Sequence, residues 1–406
     1  MQLWQTLLLT LVAFGLGWLI ATLGQDSSSP SESALGSEAM YDATLDALEH
    51  PDFTERTVLI IDLTRQLNAE NREAMMQALE ANLGSTASDD LRLVVREMAR
   101  EDPQATFERV MQWPRTERLW ASQVTSFEWA KRNPASALDT IDKVMAREKG
   151  MEGIQRGFVY GWAWSRKPGL SEYLRTLKQN RHLSEFTVVQ AAEIRRHEGS
   201  PAVIEWAEAQ IEIGDPDWSA LVFEQTLSAI GFQTPELAMA FYEGHQDQPY
   251  ATQGPKALAM AAGRRDPEAI LAWLRTLPAD EKQYEGMKAA WGDWAMSSPA
   301  EATAWLREAD RGPDLDGALA AYIDKYKARE PLQGYMVASQ ISNPGLRQAA
   351  QVKTLSLFLR TRKEEAKAWL TQNEVPEQVL AEIREGTNRP RKNPMQEMLA
   401  PQNARD

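Results

Sequence analysis

"DPEAILAWL" (Asp266–Leu274) and "SPAEATAWL" (Ser298–Leu306) share a proline in second place and a tryptophan six residues after it. The two stretches lie 32 residues apart, and "KEEAKAWL" from Lys363 repeats the pattern without the proline. The same spacing continues upstream, since prolines recur every 31 to 34 residues at Pro103, Pro134, Pro168, Pro201, Pro235, Pro267, Pro299 and Pro331. A period of this length belongs to a helix-turn-helix unit that must stack on its neighbours to bury its apolar face. The chain is therefore predicted to be an array of helical repeats.

Each recurring proline is predicted to begin a helix. Proline fits the first helical position because it lacks the N–H that would be unpaired there, and its φ is already helical. Most of these prolines follow a residue whose side chain can cap backbone N–H groups, namely Asp102, Asn133, Ser200, Thr234, Asp266 and Ser298. Lys167 and Glu330 precede the other two prolines, where the start signal is weaker. A ninth unit that has lost its proline is predicted from Lys363.

Two apolar positions recur in each unit and predict how neighbouring helices pack. One lies six residues after the unit's start, at Phe241, Trp273, Trp305 and Trp369. The other lies five residues before the next start, at Met98, Trp129, Ile230, Trp294, Tyr326 and Phe358. Apolar residues at helical spacing predict burial between stacked helices. The tryptophans outside both positions are the candidate partner-binding residues, although most of them are also expected to be buried: Trp113, Trp120, Trp162, Trp164, Trp218 and Trp291.

From about Asp102 to Leu370 the chain resembles tetratricopeptide-like α-solenoids. In that family a unit of about 34 residues ends near a proline, and the next helix carries an aromatic residue soon after it. The Leu-Gly of the family pattern is absent after Trp273, and Pro278 is expected to shorten that helix. The resemblance implies an all-α fold, a right-handed α-solenoid that binds other proteins, with no catalytic residue and no cofactor.

The remaining chain divides into four segments around the solenoid, which is predicted to span 102–385. Residues 41–101 are predicted to be degenerate terminal repeats, and within them "RTVLIIDLTRQL" from Arg56 is interpreted as a helix despite its β-rich centre. The polar, Ser-rich residues 25–40 are predicted to be a disordered tether, and 386–406 a disordered tail. An alternative role for the tail is docking, since basic residues there precede Met395, Met398 and Leu399.

The run Leu3–Leu23 contains no charged residue and is predicted to be a transmembrane signal anchor, residues 1–24. As a helix it would span about 31 Å, close to the thickness of a bilayer's hydrocarbon core. The alternative is a cleaved signal peptide with the cut before Gln25. Gly17 and Ala21 form a small-xxx-small pair that would favour a homodimer in the membrane.

The charges that flank Leu3–Leu23 give only a weak prediction of how the chain is oriented across the membrane, because the first basic side chain after this run is Arg56. A one-residue head and an acidic following segment favour an inner-membrane protein whose chain after residue 24 faces the periplasm, if the source is a Gram-negative bacterium. The net charge of −14 argues against a nucleic-acid partner, since phosphate backbones select basic surfaces. The bilayer itself is an expected partner through residues 3–23.

Catalytic and metal-binding patterns are nearly absent from the sequence. There is no cysteine, so thiol nucleophiles and thiolate metal sites are excluded. The four histidines, His50, His182, His197 and His245, lack the spacing of paired metal ligands. No phosphate-binding loop or nucleophile elbow is present.

Two functions from different classes remain. The first is a non-catalytic, membrane-anchored scaffold or adaptor whose extracytoplasmic repeats bind another protein of the cell envelope, in envelope assembly for example. The second is a protein that binds or processes cell-wall glycan through its surplus tryptophans. Quenching of tryptophan fluorescence by wall fragments would separate them.

Overall fold

The computed structural model describes residues 35–84, 88–147, 150–178 and 180–388. These residues form 22 α-helices, two short 3₁₀ turns and no strand, so the all-α prediction is confirmed. The predicted membrane anchor Leu3–Leu23 lies outside the described residues. Among the helices within them, none has both the length and the apolar character that crossing a bilayer requires.

The chain divides into two compact units between Phe158 and Val159. The first unit contains, in order, α1 (Ser37–Glu49), α2 (Phe53–Arg65), α3 (Arg72–Ala81), α4 (Ser88–Glu101), α5 (Pro103–Val110), α6 (Arg115–Arg132) and α7 (Pro134–Arg147). The next helix, α8 (Glu152–Ser165), spans the division. In the first unit α1 packs on α3, α2 on α4, and α4 on α6. Their apolar faces form one core that includes Met40, Ile60, Met75 and Val94.

The second unit alternates two kinds of helix. The first helices of its repeats are α9 (Leu170–Thr176), α11 (Ser200–Ile211), α13 (Pro235–His245), α15 (Pro267–Leu274), α17 (Pro299–Glu308), α19 (Pro331–Ala338) and α21 (Lys363–Leu370). The second helices are α10 (Leu183–Glu198), α12 (Pro216–Gly231), α14 (Gly254–Ala262), α16 (Glu281–Ser297), α18 (Asp316–Tyr326), α20 (Pro344–Thr361) and α22 (Glu377–Asn388). The second helices from α10 to α18 contact one another in series, and the first helices pack on them. Consecutive repeats therefore place corresponding residues side by side.

Most helix starts confirm the proline prediction. Helices begin at Pro103, Pro134, Pro235, Pro267, Pro299 and Pro331, and Lys363 begins α21 without a proline. Three of the predicted capping side chains accept a backbone N–H: Asp102, Asn133 and Asp266. Thr234 and Ser298 make no such bond, and Ser200 is already the first residue of α11 behind Gly199, so the capping prediction was wrong for these three.

Pro168 is the recurring proline that lies outside a helix, whereas Pro201 is the second residue of α11. Gly169 follows it with φ +101°, in the left-handed region that glycine tolerates, and α9 starts only at Leu170. The indole N–H of Trp162 faces the carbonyls of Lys167 and Pro168, at 3.0 and 3.2 Å, and holds them in the turn. The predicted start at Pro168 is therefore wrong because this turn uses the backbone there for another contact.

Segment boundaries differ from prediction at both ends. Helix α1 begins at Ser37, inside the stretch 25–40 predicted to be a disordered tether, because Met40, Thr44, Ala47 and Leu48 recur at helical spacing and are buried. Helix α22 extends to Asn388, into the predicted tail 386–406. The β-rich stretch from Arg56 lies in α2, as predicted. Pro278 follows α15, which spans only eight residues, as expected for a helix shortened by this proline.

The apolar repeat positions pack as the sequence predicts. Met98, Trp129, Ile230, Trp294 and Phe358 are buried. Trp294 meets Trp305 edge to face at 6.2 Å between ring centres, an arrangement favoured by aromatic quadrupoles. The tilted pair of Phe107 and Trp129 lies 5.7 Å apart. The Trp294–Trp305 contact joins the end of one repeat to the start of the next, and the Phe107–Trp129 contact joins the two helices of one repeat.

Basic side chains add a second tie between repeats. The Arg132 guanidinium donates to the carbonyl of Glu101 at 2.5 Å, and Arg362 donates to the carbonyl of Arg329 at 2.8 Å. Arg265 reaches the carbonyls of Phe232 and Gln233 in the same way. Each arginine lies about one repeat beyond the carbonyl it binds, at or just after the C-terminal end of a helix. The cation therefore satisfies orphan carbonyls and opposes the negative end of the helix dipole.

Candidate interaction surface

Four of the six candidate tryptophans are buried. Trp113, Trp162 and Trp218 are at most 6% exposed, and Trp291 is fully buried. Each indole N–H already has an acceptor inside the fold: the carboxylate of Glu80 for Trp113, and the Ala302 carbonyl at 3.0 Å for Trp291. These four residues pack the core and offer a partner almost no surface.

Trp120 and Trp164 are half-buried, and each carries an arginine over its ring. The guanidinium carbon of Arg196 lies 4.2 Å from the ring centre of Trp164, and that of Arg92 lies 5.8 Å from Trp120. These distances are within the range of cation–π attraction. Partner contact through Trp120 and Trp164 stays a prediction, and it would involve the stacked arginines as well as the indoles.

A more continuous surface runs along the second helices of the second unit. The residues at one repeat position are Glu224 on α12, Lys256 on α14, Lys288 on α16, Ala320 on α18 and Lys353 on α20. They are spaced 32 or 33 residues apart, and each is at least partly exposed. Because the helices that carry them contact one another in series, these side chains form a row. We call this row and its immediate neighbours the second-helix face.

Asp324 is the centre of charge on this face. Its carboxylate lies 2.5 Å from the Lys327 ammonium, 2.8 Å from Lys353 and 3.8 Å from Lys288, which joins α16, α18 and α20. Burial alone would raise the pKa of Asp324, but hydrogen bonds from Lys327 and Lys353 and the charges of both outweigh it and lower the pKa to about 2. One carboxylate thus serves three ammonium groups, which keep donors for a further acidic group.

Tyr284 and Glu224 mark the less polar part of the same face. The Lys288 ammonium lies 5.9 Å from the ring centre of Tyr284. Burial raises the pKa of the Tyr284 phenol, so it remains a hydrogen-bond donor at neutral pH. Burial also raises the pKa of Glu224, and the charge of Lys256 opposes that rise. The face therefore combines lysine ammonium groups with a half-buried carboxyl on adjacent helices.

The first unit has its own charged contact between neighbouring helices. The Glu128 carboxylate is 3% exposed and accepts from Arg96, 32 residues upstream, at 3.0 Å and from Lys131 at 3.3 Å. Here the acid is enclosed by its partners, so this contact ties α4 to α6. It leaves little of the carboxylate for an outside ligand.

Sequence reasoning missed the second-helix face because it followed aromatic residues and dense basic runs. The lysines of the face are single residues far apart in sequence, and only alignment of the repeats brings them together. The signal that would have found them is the 32-residue spacing of Lys256 and Lys288. The charged position repeats with the same period as the prolines.

Within the described ranges, no group of three or more His, Asp or Glu side chains is arranged to hold a metal ion. The histidines instead contact neighbouring residues. His245, for example, lies against Phe223, Phe241 and Tyr250, and one ring nitrogen is 2.8 Å from the Phe241 carbonyl. Compared with models of protein families, with curated proteins and with solved structures, the chain matches none.

Proposed function

We propose that this protein is a non-catalytic scaffold or adaptor, held at a membrane by residues 3–23, whose helical repeats bind another protein. In this proposal the repeats form a tetratricopeptide-like α-solenoid and lie outside the cytoplasm, in the periplasm of a Gram-negative cell. The partner is an envelope protein. The observation that carries the proposal is the second-helix face, to which consecutive repeats each contribute a side chain.

The geometry of this face favours an elongated partner segment. Each repeat adds one position to the row, so a segment lying across α14, α16 and α18 would meet a new side chain at every helix. Repeat arrays use extended surfaces of this kind for binding.

The charge of the face selects the chemistry of that segment. Lys256, Lys288, Lys327 and Lys353 outnumber Glu224 and Asp324 on this face, although the chain as a whole carries a net charge of −14. A partner segment with carboxylate side chains would pair with these ammonium groups. Opposite charge would also raise the rate of encounter and suppress unsuitable partners, more than it raises affinity.

In-cell photocrosslinking tests the proposal at single positions. A photoreactive residue is placed at Lys256 or Lys288 in the full chain, expressed in native membranes, and the trapped proteins are identified by mass spectrometry. The matched control places it at Glu268, an exposed residue of the first helix α15. One dominant envelope protein trapped from 256 and 288, and not from 268, is the expected result.

Charge reversal then asks whether the trapped contact depends on the face. Lys353→Glu should reduce trapping from position 256 several-fold, whereas Lys363→Glu, at the start of the first helix α21, should not. Equal trapping from all three crosslinking positions, or none from folded and membrane-bound protein, would count against the proposal.

A further inference from the structure

A small cavity of about 100 Å³ opens between α17, α18 and α19. Leu319 and Tyr322 of α18 line it together with four polar side chains: Arg307, Arg311, Gln333 and Gln340. No carboxylate lines it, in a chain with 58 acidic residues. None of the lysines of the second-helix face lines it.

The polar groups around the cavity have unused hydrogen-bond donors. Among the described residues, the side chains of Arg307, Gln333 and Gln340 have no hydrogen-bond or ion-pair partner. Arg311 donates through Nη1 to the Leu306 carbonyl at 2.5 Å, which fixes this guanidinium at the rim and leaves its other nitrogens available. Tyr322 is only 8% exposed, so the cavity is the main access to its ring. The four polar side chains are exposed, so their free donors are solvated, and an anion bound here would replace that water with charge-assisted hydrogen bonds.

The preceding repeat shows what this arrangement lacks. Arg275 holds the position equivalent to Arg307, 32 residues earlier, and its Nε donates to the Asp314 carboxylate of the next repeat at 2.6 Å. The residue 32 positions after Asp314 is Leu346, whose side chain is 37% exposed. Arg307 therefore has the arginine of the pair without its acid. An anion from outside would restore the pairing that Arg275 makes internally.

Other charges near the cavity are consistent with this inference. Burial raises the pKa of the Tyr322 phenol, the charge of Glu330 raises it further, and Arg307 opposes both. The phenol thus remains protonated at neutral pH. Glu330 is the acidic group that faces this tyrosine, and it does not line the cavity. A bound anion would meet one nearby carboxylate and two guanidinium groups.

We propose that this cavity binds one oxyanion, a carboxylate or a phosphate group, through Arg307 with help from Arg311, Gln333 and Gln340. The planar guanidinium fork matches two oxygens of either group. The volume of about 100 Å³ admits a group of a few heavy atoms. The proposal stands independently of the scaffold function, because its ligand is a small anion and the polar side chains that would bind it are not among the lysines of the second-helix face.

Isothermal titration of the full-length protein with inorganic phosphate and with acetate, at low ionic strength, tests the site. Arg307→Gln should weaken binding at least tenfold. Leu346→Asp should weaken it equally, because it supplies Arg307 with the internal acid that Asp314 gives Arg275. Arg275→Gln is the matched control and should leave the affinity unchanged, since Arg275 is paired elsewhere. Circular dichroism of each variant checks that helix content is retained.

The anions separate the sources of the ligand. Saturable binding of phosphate alone supports a phosphate-bearing ligand, and comparable binding of acetate supports a peptide carboxylate. In either case the binding must be lost in Leu346→Asp, a variant that keeps Arg307 and its fold contacts. Absence of saturable binding of both anions, or binding that survives both Arg307→Gln and Leu346→Asp, would overturn the proposal.

Discussion

Asp316 makes a buried contact between repeats whose removal has a calculable cost. Its side chain is 4% exposed, and its two oxygens accept from the backbone N–H groups of Ser342 at 2.6 Å and Asn343 at 2.8 Å. Helix α20 begins immediately afterwards at Pro344. The carboxylate of one repeat therefore binds the positive N-terminal end of the next repeat's second helix.

Asp316→Asn keeps the shape and removes one acceptor. The new amide NH₂ group must face one of the two N–H donors, so one charge-assisted hydrogen bond is lost. Such a bond contributes about 1.5 to 3 kcal/mol, and the lost interaction with the helix end adds about 0.3 to 1 kcal/mol. Because Ser342 and Asn343 are themselves exposed to water, we expect the lower part of this range, about 2 kcal/mol.

Hydrogen exchange measured by mass spectrometry is the suitable assay, because repeat arrays open locally and need not unfold in one step. A loss of about 2 kcal/mol corresponds to about thirtyfold faster exchange of the amides around Ser342 and at the start of α20. The control is Asp310→Asn, at an exposed aspartate whose side chain has no partner among the described residues. Exchange at this site within threefold of wild type, or equal to that of the control, would refute the reasoning.

Three further predictions are measured by denaturant or thermal unfolding. Asp324→Asn should lower the free energy of unfolding by about 1 kcal/mol at pH 7, the modest value left by solvent screening. Because the folded-state pKa of Asp324 is about 2, the stabilisation by Asp324 is present above the ordinary pKa of 3.8 and should disappear as the pH falls to about 2. Glu224→Gln should raise the Tm at pH 7 and leave it unchanged at about pH 3.5. Burial raises the folded-state pKa of Glu224, so the ionised carboxylate destabilises the fold only once the pH rises above the pKa that this group has in the unfolded chain. A Tm gain that does not depend on pH would contradict this reasoning. Gly317→Ala should cost about 3 kcal/mol, since its Cβ would lie 2.3 Å from the Tyr284 carbonyl, whereas Gly244→Ala, with open space around it, should cost nothing.

The parts of the fold that the sequence predicts are those decided within a few residues. Pro267 begins a helix because φ and the missing N–H suit that position, and Asp266 caps it by accepting the N–H of Ala269 at 3.0 Å. Both reasons act locally, so the period of the prolines predicts the period of the helices. Pro168 fails because Trp162, six residues upstream, recruits the same backbone into a turn. That competition is not visible in the proline pattern alone.

The candidate surfaces depend on contacts between repeats, which the linear pattern does not determine. The sequence predicts that tryptophans outside the recurring apolar positions bind a partner, yet Trp291 is fully buried and its indole N–H donates to a carbonyl of the following helix. Lys288, Asp324 and Lys353 belong to three repeats and become neighbours only when α16, α18 and α20 stack. Each lysine alone has no distinguishing sequence context.

Periodicity nevertheless gives a way to find function once the helices are aligned. Where a contact between repeats recurs, as in the carbonyl contacts of Arg132 and Arg362, the residue is explained by stability. Where one partner of such a contact is absent, the remaining group keeps its charge and its position but no longer binds a residue of the neighbouring repeat. Arg307 is in this condition, because it has no ion-pair partner among the described residues, whereas Arg275 binds Asp314. A partly exposed ion pair contributes at most about 1 kcal/mol, so its absence costs the fold little and leaves the guanidinium of Arg307 open to the external anion proposed above.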